Sequence, residues 1–207
     1  MMLAALALAV LQGPPTYPRG SPSETGRRPQ LAPSVAQPAP ALPRFSDLPG
    51  VAVTYYDVTG RTVAEIHKSL TGAAPRDPVT RKPLPATSSW SIGAAVKWSK
   101  TGTHCTITDV TLTFTSAATM PRLVVQPDTP APVLAAWKSF AIQLESRQAA
   151  QLKFAYDRRG EVERAILASS CDRWQAAADA ALTGLEEQQR LARDADATAL
   201  PKLVEKE

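Results

Sequence analysis

Histidine and cysteine are scarce in this chain of 207 residues, which has two of each. Neither His67 nor His104 has a partner at metal-ligand spacing such as i, i+4, so nothing local announces a metal centre. There is no run of one charge sign. The 23 Lys+Arg and 19 Asp+Glu are interspersed and leave a net charge of +4, which argues against a nucleic-acid binder, since that would need a basic stripe and a stacking platform. No apolar run reaches the length of about 18 residues that spans a bilayer, so no transmembrane segment is expected. Proline, in contrast, is plentiful at nineteen residues. Its distribution divides the chain.

The apolar block Leu3–Leu11 is followed at once by Gln12, Gly13, Pro14 and Pro15. A short apolar stretch with a helix stop behind it reads as the core of a secretory signal peptide over residues 1–13, although no Lys or Arg precedes it. A periplasmic or secreted protein is expected on that basis. Residues 14–50 are rich in Pro, Ser, Ala, Gln and Thr and have too little apolar surface to offset ordering entropy, so they read as a tether. The length beyond suits one domain, 51–192, followed by a polar tail, 193–207.

Within the domain, Val51–Val58 is rich in β-formers and ends at Thr59-Gly60. Thr62-Val63-Ala64-Glu65 is a capping box that opens a short helix, with Ile66 and Leu70 on its inner face, ending near Gly72. Residues 73–86, with four prolines and three basic groups, form a loop. Trp90, Ile92, Ala94, Val96 and Trp98 then alternate as one buried face of a strand, and Lys100-Thr101-Gly102 is the turn. On the return strand Cys105 and Ile107 have one parity and Val110, Leu112 and Phe114 the other, which requires a bulge near Thr108-Asp109. Met120 to Val125 reads as a further strand, and Pro121 places it at a sheet edge.

The second half is helical. Asp128 and Thr129 are candidate N-caps, Pro132 suits a first turn, and Val133, Trp137, Phe140 and Leu144 form a buried stripe. Gly160 is the expected break before a second helix carrying Leu167, Cys171, Trp174, Ala178, Leu182 and Leu185. Strands first and helices after give an α+β domain, a small mostly antiparallel sheet backed by a helical hairpin. In an exported chain the even cysteine count favours a Cys105–Cys171 disulfide, against the alternative of two buried thiols that never meet. An activated Cys105–His104 pair is disfavoured because adjacent strand residues point to opposite faces.

By helical arithmetic the stripe continues to 147 and 151, where Arg147, Gln148 and Gln151 stand. On spacing alone, the helix has left the core there and Arg147 is solvated with its stem packed on the surface.

The ordered set Tyr55-Tyr56-Asp57-Val58-Thr59-Gly60, Thr87-Ser88-Ser89-Trp90-Ser91-Ile92, Cys105, Met120-Pro121 and Trp137-x-x-Phe140, with Cys171 as a second cysteine, resembles a family of exported bacterial proteins. These are predicted zinc-dependent proteases still classed as a domain of unknown function, and the resemblance covers about residues 53–190. It implies a zincin-like fold and a His-Glu-x-x-His helix, in which two histidines hold zinc and the glutamate is the general base toward its water. Here that segment reads Arg147-Gln148-Ala149-Ala150-Gln151, and no histidine follows His104. Zinc lowers the pKa of its water from 15.7 to about 7. An amide is a poor replacement for imidazole, Gln148 cannot accept a proton, and a permanently charged Arg147 repels a divalent cation. No cofactor is therefore expected, zinc being the metal of the resembled family. Arg147 is expected to stand in for the missing charge, so that Arg147→Ala lowers stability by more than about 0.5 kcal/mol.

The resulting expectation is a pseudo-protease of the cell envelope that binds an extended peptide or protein without cleaving it. The docking edge would be Met120, Arg122, Leu123, Val124 and Val125. The alternative is an active secreted metalloprotease or other hydrolase with a relocated site, for which Ser169, Ser170 and Asp172 are the nearest groups. A plain structural protein of the envelope on a proline-rich tether is a third reading.

Overall fold

The computed structural model describes residues 41–195 and 201–204. The expected signal peptide and the tether up to residue 40 lie outside those residues. The described chain begins upstream of Val51, with a 3-10 turn at Phe45–Asp47 and a buried Leu48. Strand β1 (Val51–Val58) leads to helix α1 (Val63–Ala73). A hairpin of β2 (Thr87–Thr101) and β3 (His104–Leu123) follows, then α2 (Ala131–Leu167) and α3 (Trp174–Ala195). The architecture is α+β, as expected. No helix among the described residues is long and apolar enough to cross a membrane.

Local chemistry explains most boundaries. At the start of α1 the Glu65 N–H donates to Thr62 Oγ1 at 3.2 Å, while the Thr62 and Arg61 N–H groups donate to Glu65 Oε2. The capping box thus satisfies the orphan donors of the first turn. Gly60 sits in front of it with φ +148 and so close to Ile66 and Glu65 that a Cβ would meet the Ile66 nitrogen at 2.6 Å. The two-residue turn Gly102-Thr103, with Gly102 at φ +64, joins β2 to β3. The register shifts where Lys97 pairs with Asp109 but Trp98 with Ile107. Thr108 is the extra residue, so the bulge lies where the phase change of the apolar set requires it.

The sheet order is β1-β3-β2, parallel between β1 and β3 and antiparallel between β3 and β2. This corrects the expected separate strand at Met120–Val125. Met120 to Leu123 are the last residues of the 20-residue central strand β3, in register with Tyr55 to Val58. Pro121 is tolerated because β2 ends opposite Thr119, which leaves β3 flanked there by β1 alone.

Three helical expectations also change. Helix α2 starts at Ala131 behind Pro130, with no side-chain cap from Asp128 or Thr129. Thr129 Oγ1 instead accepts from the Gln126 N–H within the preceding turn. Gly160 does not break the helix, which runs on for 37 residues. The chain turns at Ala168–Arg173, so Cys171 lies in the connection and not on a helix.

Two apolar clusters flank the middle of α2. One gathers Val58, Ile66, Leu70, Met120, Phe140 and Leu144, and the other Ile107, Val110, Val162, Ile166 and Ala178. Each fully buried aliphatic side chain contributes about 1.5–3 kcal/mol. Cys105 and Cys171 form a disulfide that ties the start of β3 to the α2–α3 turn beside the second cluster.

Candidate functional site

The helix segment implied by the resemblance does not leave the core. The buried stripe of Phe140 and Leu144 continues through Gln148, Ala149, Leu152 and Ala155. Gln148 is only 6% exposed, which overturns the expectation that the helix is solvated from residue 147 on. Arg147 is half-buried.

A buried amide needs partners. Ser88, near the start of β2, supplies one: its hydroxyl donates to Gln148 Oε1 at 2.8 Å and lies 3.3 Å from Gln151 Oε1. Helix α3 supplies the rest of the network. The Trp90 indole N–H donates to Gln189 Oε1 at 2.9 Å, and Gln189 Nε2 donates to the Gln151 main-chain carbonyl at 2.8 Å. Gln189 therefore clamps β2 to α2 through both ends of its amide.

Over this network, between α2 and α3, lies a groove of about 530 Å3. Arg147, Gln151 and Phe154 line it from α2, Gln189 and Arg193 from α3. Leu42, Pro43 and Pro201 add walls from the two ends of the described chain. The upstream segment is held to α2 by the Phe45 N–H on Glu145 Oε1 at 3.3 Å and by Arg44 at 3.8 Å from Glu145 Oε2.

The donor set does not fit zinc. The groove offers two guanidiniums and amides, and the carbonyl oxygens of Gln148 and Gln151 already face the Ser88 hydroxyl. No group of three His, Cys, Asp or Glu side chains placed to hold a metal occurs among the described residues.

The other expected groups are dispersed. Met120 and Leu123 are buried in the first cluster, and Arg122 pairs with Asp57 across the β1–β3 ladder at 2.7 Å. Val124 and Val125 are exposed beyond the strand. The free edge beside the groove therefore belongs to β2, not to Met120–Val125. His67 and His104 are exposed on α1 and at the hairpin, and Cys105 is oxidised, which removes it as a thiolate. Ser169 donates to the Ile166 carbonyl at 2.7 Å, and the Ser170 hydroxyl holds the exposed Asp172 carboxyl below its ordinary range.

Sequence reasoning missed Ser88, Gln189 and Arg193 as members of the site, and Leu42 and Pro201 as its walls. One signal was present: a Trp90 indole on a buried strand face needs an acceptor on whatever packs over it.

No curated protein and no solved structure matches the chain. The family model described as "Bacterial protein of unknown function (DUF922)" matches residues 53–198, well over half of the sequence and all of the sheet and helices except the first two residues of β1. The chain belongs to this bacterial family of unknown function.

Proposed function

We propose that the chain is an exported, zincin-like pseudo-protease: a non-catalytic module of the cell envelope that binds an extended peptide or protein segment. The observation that carries this reading is the composition of the groove. The helix positions that hold metal and general base in the resembled proteases here present the Arg147 guanidinium and two amides, and the amides are bonded into a Ser88–Gln148–Gln151–Gln189 network. Such a network stabilises the fold and has no group able to activate water. The neighbouring β2 is an edge strand, and among the described residues no further strand pairs with its outer N–H and C=O groups, which an added strand would use. The disulfide supports export, since such bonds persist in oxidising compartments. Binding without cleavage needs no cofactor.

The test is the zinc content of protein secreted into an oxidising compartment, measured by mass spectrometry after exchange through zinc-containing buffer, with casein hydrolysis assayed in parallel. Zinc far below one per chain and no hydrolysis are expected. One tightly held zinc per chain, or hydrolysis that a chelator abolishes, would overturn the pseudo-protease reading.

A further inference from the structure

The charged side chains that line the groove among the described residues are both cationic. Arg147 and Arg193 both line it, and among the described residues no carboxylate does. Nearby arginines are engaged: Arg158 lies over the Phe154 ring and near Glu161, and Arg190 pairs with Glu187 and Asp194. Among the described residues Arg147 and Arg193 have no such partner. Gln151, whose Oε1 faces Ser88, has two further N–H donors to offer. The walls beside these donors are apolar, formed by Leu42, Pro43, Phe154, Ala192 and Pro201. A second depression of about 440 Å3, lined by Ser88, Ser89 and Trp90 and by Glu186 and Glu187 of α3, shares Gln189 and Arg193 with the groove. The free edge of β2 and the groove are therefore contiguous.

We infer that the groove takes the C-terminal end of an extended polypeptide, with its free carboxylate on Arg147 and Arg193 and an apolar last side chain against Phe154, Leu42 and Pro43. This rests on the binding-module reading and names what that module binds. Two guanidiniums match a carboxylate in charge and in fork geometry. A C-terminal residue carries its carboxylate and its apolar side chain on one Cα, as a groove with adjacent cationic and apolar walls requires. An internal Asp or Glu places its charge at the end of the side chain itself and leaves the apolar wall unfilled. Main-chain pairing along β2 brings the preceding residues past Ser88 and Trp90 toward the groove.

The experiment passes randomised soluble heptapeptides over the immobilised full chain with its disulfide intact, and identifies retained peptides by mass spectrometry. The same pool is used with free C-terminal carboxylates and as C-terminal amides. Retention of free-acid peptides with apolar last residues is expected, about tenfold weaker in Arg147→Gln and in Arg193→Gln, each checked for folding by circular dichroism. It should weaken as salt rises. Equal retention of both pools, or unchanged retention in both variants, overturns the carboxylate site and leaves the binding module standing. Retention of amidated peptides only where they contain internal Asp or Glu overturns the C-terminal source. Retention of neither pool overturns this inference and the peptide-binding reading together.

Discussion

At the residue scale, the buried amide of Gln148 decides what the middle of α2 can be. An amide on a core face is costly unless its polar atoms are bonded, and Ser88 provides that bond at 2.8 Å. Gln148→Ala removes side-chain volume as well as the acceptor and is expected to cost about 2 kcal/mol, and Ser88→Ala about 1 kcal/mol. The double variant, measured by urea unfolding, should show a coupling of about 1 kcal/mol, whereas strict additivity would mean the bond contributes nothing. Arg147 behaves differently. Nothing anionic among the described residues lines its groove, so Arg147→Ala is now expected to change stability by less than about 0.5 kcal/mol, against the loss that a stand-in for metal charge would give. A clear fall in melting temperature would restore the charge-substitution argument. Tyr56 contributes a pH dependence on the alkaline side. Burial raises its phenol from the ordinary 10.0 to about 12, and its hydroxyl donates to the Pro85 carbonyl at 2.7 Å. The unfolded chain releases this proton near pH 10 and the folded one near 12. The stability it contributes is therefore whole below pH 10 and lost as pH rises toward 12. The difference in unfolding free energy between wild type and Tyr56→Phe should be flat to pH 9 and shrink between pH 10 and 12.

At the scale of elements, α2 shows that glycine in a helical pattern is a poor stop sign when nothing downstream demands a turn. Gly160 has helical backbone, and a Cβ there would meet nothing within 4 Å. Gly160→Ala should raise stability by about 0.5–1 kcal/mol, seen as a higher urea midpoint with an unchanged slope. Gly60→Ala should do the reverse and more, since its φ of +148 and the 2.6 Å approach to Ile66 leave a Cβ no room. If Gly160→Ala instead lowers the midpoint, the helix does bend there. Two local features were read correctly. The Thr62–Glu65 box and the bulge at Thr108 each leave a signature within a few residues. The long β3 could not be seen whole because its centre, Thr115 to Thr119, holds only Thr, Ser and Ala. A sheet packed closely under a helix needs small residues there, which on paper resemble a loop. The site was legible only at Arg147–Gln151. Ser88 is 60 residues away from Gln148, and Gln189 is 38 from Gln151. Only the tertiary fold brings them together.

At the scale of the whole molecule, the two apolar clusters are unequally secured. The first is closed by β1, α1 and the start of α2 around Val58, Ile66 and Phe140. The second joins the far end of the β2–β3 hairpin to the α2–α3 turn, and the Cys105–Cys171 bond is its only covalent tie. A link between residues 66 apart stabilises by about 4 kcal/mol, chiefly by restricting the unfolded chain. That share is large against the 5–15 kcal/mol typical of a domain. Breaking the bond relieves the same constraint on partial openings of the second cluster, against which Cys171 and Trp174 pack. The protein with both cysteines changed to serine is therefore expected to melt well below wild type. Its amide exchange should accelerate over 104–112 and 166–182 before it does over 51–70. Uniform acceleration along the chain would show one indivisible cooperative unit, with the bond acting on the unfolded state alone. The groove depends on which of these holds, because α3 reaches Gln151 through Gln189 at one end and is anchored at the other by the turn that contains Cys171. If the second cluster opens on its own, reduction frees the base of α3, draws Gln189 and Arg193 away from α2, and abolishes peptide retention while the first cluster is still folded.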